Sequence, residues 1–285
     1  MPKVSVLMPV YKTEESYLRE AIESILNQTF SDFEFLILDD CPDDDREKIV
    51  KSYKDKRIKY TKNERNLGIT PSRNKLIDMA KGEYLAIFDH DDISLPTRLE
   101  KEVKFLDENI EYGVVSSWTK HSNKDKIIKH PITDHDIKVA LIQNCELAHS
   151  AAMVRKSILD DNNIRYEADF SPSEDYRLWF RLAKLTKFHN IPEVLFIYRW
   201  HDNNTSISQA NKMMNMTWRI RALFKAEFAA DYQEFISKAK HTANITLFGF
   251  IPFLKIIKQE NKTKVYLFEK ILLAKIKTSS RLGEK

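Results

Sequence analysis

Glycine is scarce in this chain, with 5 residues in 285. None lies in a GxGxxG or GxxxxGK[ST] arrangement. Without a glycine-rich turn to bring backbone N–H groups against a phosphate, dinucleotide oxidoreductases and P-loop enzymes are poor readings. Cysteine is scarcer still: Cys41 and Cys145 make neither a disulfide framework nor a metal-ligand spacing. No stretch approaches the ~20 apolar residues that a membrane-spanning helix needs. The opening Met1-Pro2-Lys3 runs directly into Val4-Ser5-Val6-Leu7, with no signal-peptide pattern. These absences make a reducing cytoplasm the expected compartment.

What is present is the composition of a globular protein, 42% hydrophobic and 31% charged. The length suits one large or two modest domains. The net charge of +4 is unevenly spread. Residues 206–285 hold 15 Lys and Arg against 6 Asp and Glu, whereas residues 1–205 hold 31 against 36. An acidic body with a basic tail suggests two roles on one chain.

Strand and helix signals alternate at the N-terminus. The pattern predicts a strand at Val4–Val10, then a helix over Thr13–Gln28 with Leu18, Ile22, Ile25 and Leu26 on one face. A strand at Phe33–Leu38, a polar helix around Asp44–Lys54 and a short strand near Ile58–Thr61 follow. Thr70-Pro71 opens a further helix, which Gly82 follows, and Tyr84–Phe88 is the next strand. Such alternation argues for βαβ units and a parallel sheet. Farther on, helices are expected at Thr97–Glu108 and Asp134–Gln143, and strands at Gly113–Ser117 and Val194–Tyr198. Ser171-Pro172-Ser173-Glu174-Asp175 reads as a loop entering an amphipathic helix with Leu178, Phe180, Leu182 and Leu185 as its apolar members. Beyond about Ser208 the pattern is helical, through Met213, Met214, Trp218, Leu223 and Phe228. The tail repeats weakly at 20 residues, pairing Leu247-Phe248 with Leu267-Phe268, Ile251 with Ile271, Lys255 with Lys275 and Ile256 with Ile276. It reads either as two interfacial elements on an anionic membrane or as two helices or hairpins capping the body.

Two apolar runs end in acids: Phe33–Leu38 in Asp39-Asp40, and Tyr84–Phe88 in Asp89-His90-Asp91-Asp92. In open α/β sheets the ligand crevice lies beyond the carboxyl ends of the strands. Both clusters are then expected on one rim, repelling each other unless a cation or hydrogen-bonding ligand compensates them. Hard oxygen ligands of this kind suit a magnesium-type ion shared with substrate phosphates.

Six segments stand in order over residues 1–208: Val4-Ser5-Val6-Leu7-Met8-Pro9-Val10-Tyr11, Ser24-Ile25-Leu26-Asn27-Gln28-Thr29, Asn66-Leu67-Gly68 with Ser72-Arg73-Asn74, Phe88-Asp89-His90-Asp91-Asp92, Ser173-Glu174-Asp175-Tyr176-Arg177-Leu178-Trp179, and Tyr198-Arg199-Trp200-His201 with Ser206-Ile207-Ser208. Together they resemble inverting family 2 glycosyltransferases, which have the nucleotide-sugar-binding GT-A fold. The resemblance implies a catalytic α/β GT-A domain over residues 1–207, built on a mostly parallel central sheet. A helical basic extension over 208–285 would follow. It further implies Mn2+ or Mg2+ held by Asp91, with Asp89 either nearer the ribose or sharing the ion, and His201 as a third ligand. Pro9, Val10, Tyr11, Asp39, Asp40, Asn66, Arg73 and Asp89 would line the nucleotide site, Tyr11 stacking on the base and Asp39 hydrogen-bonding it. The chain departs from the family where Cys41-Pro42, in place of a Gly-Ser pair, stiffens the loop after the two acids. Asp175 would be the general base, because an inverting displacement needs a carboxylate to take the acceptor hydroxyl's proton. Glu174 would orient the acceptor, and His149, in Leu147-Ala148-His149-Ser150-Ala151, is a candidate on the acceptor side.

The expected activity is sugar transfer from a nucleotide donor, a UDP-sugar first, to a hydroxyl of a glycan or lipid-linked acceptor in bacterial surface polysaccharide assembly. Residues 245–285 would contact the inner face of the membrane, and a homodimer through the tail is compatible with the pattern. Two other readings stand beside this one. A haloacid dehalogenase-like phosphohydrolase also carries Asp-x-Asp after a strand, although there it is normally the first strand, and Asp175 would lack a role. A non-catalytic nucleotide-sugar or glycan-binding protein is the other. Nucleic acid fits poorly, since the body is net acidic.

Overall fold

The computed structural model describes residues 1–123, 126–142, 144–201, 204–227, 241–247, 251–259, 262–267 and 271–277. In chain order these form β1 (Val4–Val10), α1 (Glu15–Leu26), β2 (Phe33–Asp39), α2 (Arg46–Ser52), β3 (Ile58–Lys62), α3 (Ile69–Met79), β4 (Tyr84–Ile87), β5 (Ile93–Ser94) and α4 (Arg98–Glu108). Then come β6 (Tyr112–His121), β7 (Ile127–Ile128), α5 (Asp134–Leu141), β8 (Met153–Arg155), α6 (Lys156–Asp161), α7 (Glu174–Leu182), β9 (Lys187–Tyr198), α8 (Thr205–Ser208) and α9 (Ala210–Glu227). The last elements are β10 (His241–Leu247), β11 (Ile251–Gln259), β12 (Lys262–Leu267) and β13 (Ile271–Lys277).

The main sheet runs β3-β2-β1-β4-β8-β6-β9-β5, with β7 on β6. Parallel pairing joins β3, β2, β1 and β4 and the long β6–β9 pair, while the short β8, β5 and β7 join antiparallel. All residues of β1, β2 and β4 are buried, because helices cover both faces of a parallel sheet. That burial encloses two polar side chains, which satisfy each other: Ser5 Oγ donates to Glu34 Oε1 at 2.7 Å and accepts the Gly82 N–H at 2.8 Å. Any Cβ at Gly82 would stand 2.5 Å from the Ser5 nitrogen, so this close approach requires glycine.

The expected α/β architecture is present. Leu18, Ile22 and Ile25 lie on the buried face of α1. On α7 the apolar face is Leu178, Phe180 and Leu182 together with Tyr176 and Trp179. Leu185, expected on that face, lies past the end of the helix and is 46% exposed.

The extension departs from expectation. It is helical through α9, but residues expected to be helical beyond it form the antiparallel sheet β10-β11-β12-β13. Compactness divides the chain into Met1–Ala222 and Leu223–Lys285, a boundary inside α9. The 20-residue repeat is a repeated hairpin: Leu247 pairs with Ile251 in the first and Leu267 with Ile271 in the second. β-Branched and aromatic residues suit strands, and a repeat of two strands carries no helical period. Phe228, Phe248 and Phe268 lie outside the described residues. Among the described residues, no helix is long and apolar enough to cross a membrane.

Candidate active site

Parallel register brings three strand ends to one rim. Val10 pairs with Asp39, the Asp40 N–H donates to the Val10 carbonyl at 2.9 Å, and the Phe88 N–H donates to Leu7 O at 3.1 Å. Asp39-Asp40 and Asp89–Asp92 therefore flank the end of β1, where Tyr11 is 42% exposed. Lys12, just beyond, adopts φ 47°, and its Nζ lies 5.3 Å from the Tyr11 ring centre.

The acids sort into three groups. Asp39 and Asp40 are buried in the first. Asp39 accepts from Cys41 N at 2.9 Å and from the Tyr60 hydroxyl at 2.8 Å. Asp40 accepts from Asn63 Nδ2, Leu67 N and Gly68 N at 2.7, 2.8 and 2.8 Å, closing the turn into α3. Gly68 has φ 85°, a left-handed conformation that favours glycine. Asn66 is exposed and its Oδ1 accepts the same Gly68 N–H at 2.9 Å. Pro9 and Val10 are buried in β1.

The second group centres on Arg73 of α3. Its Nη2 donates to Asp89 Oδ1 at 3.1 Å and its Nη1 to Glu174 Oε1 at 2.7 Å. The second oxygen of Asp89 takes a short hydrogen bond from the Ser150 hydroxyl. Burial alone would raise the Asp89 carboxyl; the Arg73 guanidinium, foremost among the opposing groups, holds it down at about 2. Asp175, next to Glu174 at the start of α7, behaves oppositely. Burial, and then the Glu174 charge, push its carboxyl up to about 6 against the pull of Arg73. One Asp175 oxygen accepts its neighbour's Tyr176 N–H at 2.7 Å; among the described residues the other has no hydrogen-bond partner. Glu174 Oε2 is likewise buried and unpartnered among them.

His149 packs beside this group. Its Nε2 meets the Tyr166 hydroxyl at 2.8 Å, and burial followed by the nearby Arg73 charge lowers it to about 3, so the imidazole is neutral. Asn74 fixes Tyr166 with two hydrogen bonds to its backbone, at 2.9 and 2.8 Å.

The third group is Asp91 and His201, whose Oδ2 and Nε2 lie 2.9 Å apart. Arg199 Nε donates to the Asp91 carbonyl at 2.7 Å, and its guanidinium stacks 4.2 Å from the Tyr17 ring centre. Asp92 accepts the Arg199 N–H at 2.8 Å, and its Oδ2 has no partner among the described residues. Burial, then the Asp91 and Asp89 charges, push Asp92 well above the carboxylate range. A carboxylate and an imidazole meeting at an acidic rim are donors of the kind that suit a Mn2+- or Mg2+-sized ion. Among the described residues, no cluster of three or more His, Cys, Asp or Glu is gathered to enclose one.

Arg73, Asp89, Glu174 and Asp175 are thus assembled, and Asp91 meets His201, while Asp39 and Asp40 turn inward to hold loops. Sequence reasoning missed Tyr166 and gave no role to Ser150 or Asn74, although both lie in segments it singled out. Ser150 stands 61 residues from Asp89, and no local spacing marks it.

The sequence profile described as Glycosyl transferase family 2 matches residues 5–163. An uncharacterized glycosyltransferase of Methanocaldococcus jannaschii is 40% identical over 74% of this chain and 75% of its own length. Another, from Haemophilus influenzae, is 32% identical over 72% of this chain and 68% of its own. Among solved structures, S. aureus TarS 1-349 in complex with UDP-GlcNAc superposes with a TM-score of 0.62 at 22% identity, over 71% of this chain and 60% of that one. The mannosyltransferase PcManGT of Pyrobaculum calidifontis, in complex with GDP-Man and Mn2+, gives 0.57 at 18% identity, over 78% and 61%. The chain spans less than two thirds of both solved structures, and at these identities they establish a shared GT-A fold alone.

Proposed function

The chain belongs to glycosyl transferase family 2, and we propose that it moves a sugar with inversion from a nucleotide donor, a UDP-sugar first, to a hydroxyl of a glycan or lipid-linked acceptor. The observation that carries this reading is Asp175. Its carboxyl is raised to about 6, has an oxygen free of partners among the described residues, and adjoins the Arg73–Asp89 pair at the strand-end rim. A base that ionises just below neutrality is matched to taking a proton from a hydroxyl.

In this mechanism the acceptor oxygen attacks the anomeric carbon from the Asp175 side. The bond from that carbon to the diphosphate oxygen breaks on the opposite face, and Asp175 takes the hydroxyl proton. Asp91 and His201 would hold Mn2+ or Mg2+, which supplies Lewis-acid stabilisation of the departing diphosphate's charge. Asp89, engaged by Arg73 and Ser150, is assigned to the donor's ribose side in preference to the metal. Tyr11 offers an exposed ring to the base, while Asp39, both oxygens held by the Cys41 N–H and the Tyr60 hydroxyl, supports the loop beside it. The unpartnered Glu174 oxygen would accept a second acceptor hydroxyl. UDP-GlcNAc and GDP-Man with Mn2+ in the structural neighbours support a nucleotide-sugar donor and a divalent ion.

The basic extension, with its lysine-rich strands, supports peripheral contact with an anionic membrane from the cytoplasmic side, and with it a role in surface-polysaccharide assembly. The test is calorimetric titration with UDP, GDP, CDP and ADP, each with Mn2+ and with EDTA. Metal-dependent binding of one nucleotide, lost in Asp91→Asn, is expected. Binding of none, with phosphate release from phosphomonoesters in the absence of acceptor, would replace the transferase reading with a phosphohydrolase.

A further inference from the structure

Arg98 and Glu102, one turn apart on α4, form an ion pair with both side chains 0% exposed and Nε 3.1 Å from Oε1. Enclosing two charges is costly, and this pair leaves Arg98 Nη1 and Glu102 Oε2 without partners among the described residues. Burial with the Arg98 charge close by leaves the Glu102 carboxyl at about 7, so the pair is a weak source of stability.

What the guanidinium reaches is backbone. Nη2 donates to the Ile87 carbonyl at 3.0 Å and to the Ala152 carbonyl at 3.3 Å. Ile87 is the last residue of β4, and Ala152 closes the short 3-10 turn His149–Ala151. The two segments also join directly, Ile87 N–H to Ala152 O at 2.9 Å. Asp89 lies two residues beyond Ile87, and Ser150, whose hydroxyl it accepts, lies two residues before Ala152. Both partners of that hydrogen bond therefore extend from backbone that Arg98 grips from behind. The grip is itself anchored: Gln28 Oε1 accepts the Leu99 N–H at 3.0 Å, and the Phe196 ring centre lies 5.4 Å from the guanidinium carbon.

We propose that Arg98 is a positioning residue for the donor site. It sets the spacing between the end of β4 and the 149–152 turn, and so the orientation of the Asp89 carboxylate toward Arg73 and Ser150. Glu102 holds the opposite edge of the guanidinium. The functional half of this inference rests on the donor-site reading of Asp89 above; the structural half does not.

The test compares Arg98→Met/Glu102→Leu and Arg98→Lys with the unmodified chain. Exchanging a buried pair for well-packed apolar residues is often neutral or stabilising, so the double variant is expected to melt at or above the parent. Amide hydrogen exchange of the unliganded chain reads positioning without any nucleotide. The amides of Ile87, Phe88, Ala151 and Ala152 are expected to lose protection about tenfold or more, while Phe35–Leu38 in β2 keep theirs. UDP titrated with Mn2+ is expected to bind about ten- to hundredfold more weakly to the double variant, with Arg98→Lys between it and the parent. Unchanged exchange at those four amides overturns the proposal. So does a lowered melting point with protection lost throughout, which would make the pair a stability element. If exchange changes as expected but Asp89→Asn leaves UDP binding intact, the donor-site reading fails and the positional role of Arg98 stands.

Discussion

Arg73 and Glu174, 101 residues apart in the chain, share a partly buried hydrogen bond of 2.7 Å between Nη1 and Oε1. The same guanidinium binds Asp89, so one side chain joins the strand-end rim to the helix that bears Asp175. Arg73 lowers the Asp175 carboxyl and Glu174 raises it. Arg73→Met is therefore expected to move the acid limb of the kcat profile to higher pH, and Glu174→Gln to lower pH. A kcat–pH profile for each variant checks the opposite signs; shifts in the same direction would contradict the assigned geometry.

Asp175 must be ionised to accept a proton. With its carboxyl at about 6, turnover is expected to fall as pH drops through 6 and to level off above it. Asp175→Asn should lower kcat by about 10²–10⁴ while leaving nucleotide affinity near that of the parent chain. Single-turnover rates beside calorimetric affinities separate the two effects, and full activity in the variant would remove Asp175 as the base.

Asp91 and His201 are expected to act together on the metal. Asp91→Asn and His201→Ala should each raise the Mn2+ concentration for half-maximal activity, by about ten- to hundredfold, and the double variant by less than the product of the two. EDTA should abolish activity and added Mn2+ restore it. A parent enzyme indifferent to EDTA would remove the metal role from both residues.

His149 provides a test of stability. Its folded value of about 3 lies below the ordinary histidine value of 6.5. Between those values the unfolded chain binds a proton that the native chain does not, so stability falls as pH drops from 6.5 toward 3. His149→Gln, which keeps a hydrogen-bonding side chain beside Tyr166, is expected to show a shallower fall. Urea midpoints at pH 7, 6, 5 and 4 measure the difference, and parallel curves would remove His149 as the source.

The catalytic domain was legible because its signals are local. Apolar runs bounded by polar turns give β1, β2 and β4 within a residue or so of expectation, and helix punctuation places α3 and α4. Acids at the ends of parallel strands had to share a rim. The extension was less legible: Met213, Met214 and Trp218 lie in α9, but the segments beyond it are rich in residues that suit either a helix or a strand. There hydrogen-bonded pairing between segments decided for hairpins, overriding weak local preference.

By itself, then, the sequence determined the order of the elements from β1 to β4, the buried strands among them, the acids at their ends and the family they belong to, since each depends on residues near one another along the chain. Only the tertiary structure decided that Asp89 takes Ser150 and Arg73, that Arg73 also takes Glu174, and that Arg98 grips two carbonyls beneath them. Those partners lie 61, 16, 101, 11 and 54 residues apart. Most of these separations are bridged by sheet order, with β8 beside β4 and α3 crossing behind β1, and no spacing along the chain encodes which side chains such a crossing brings within hydrogen-bonding reach.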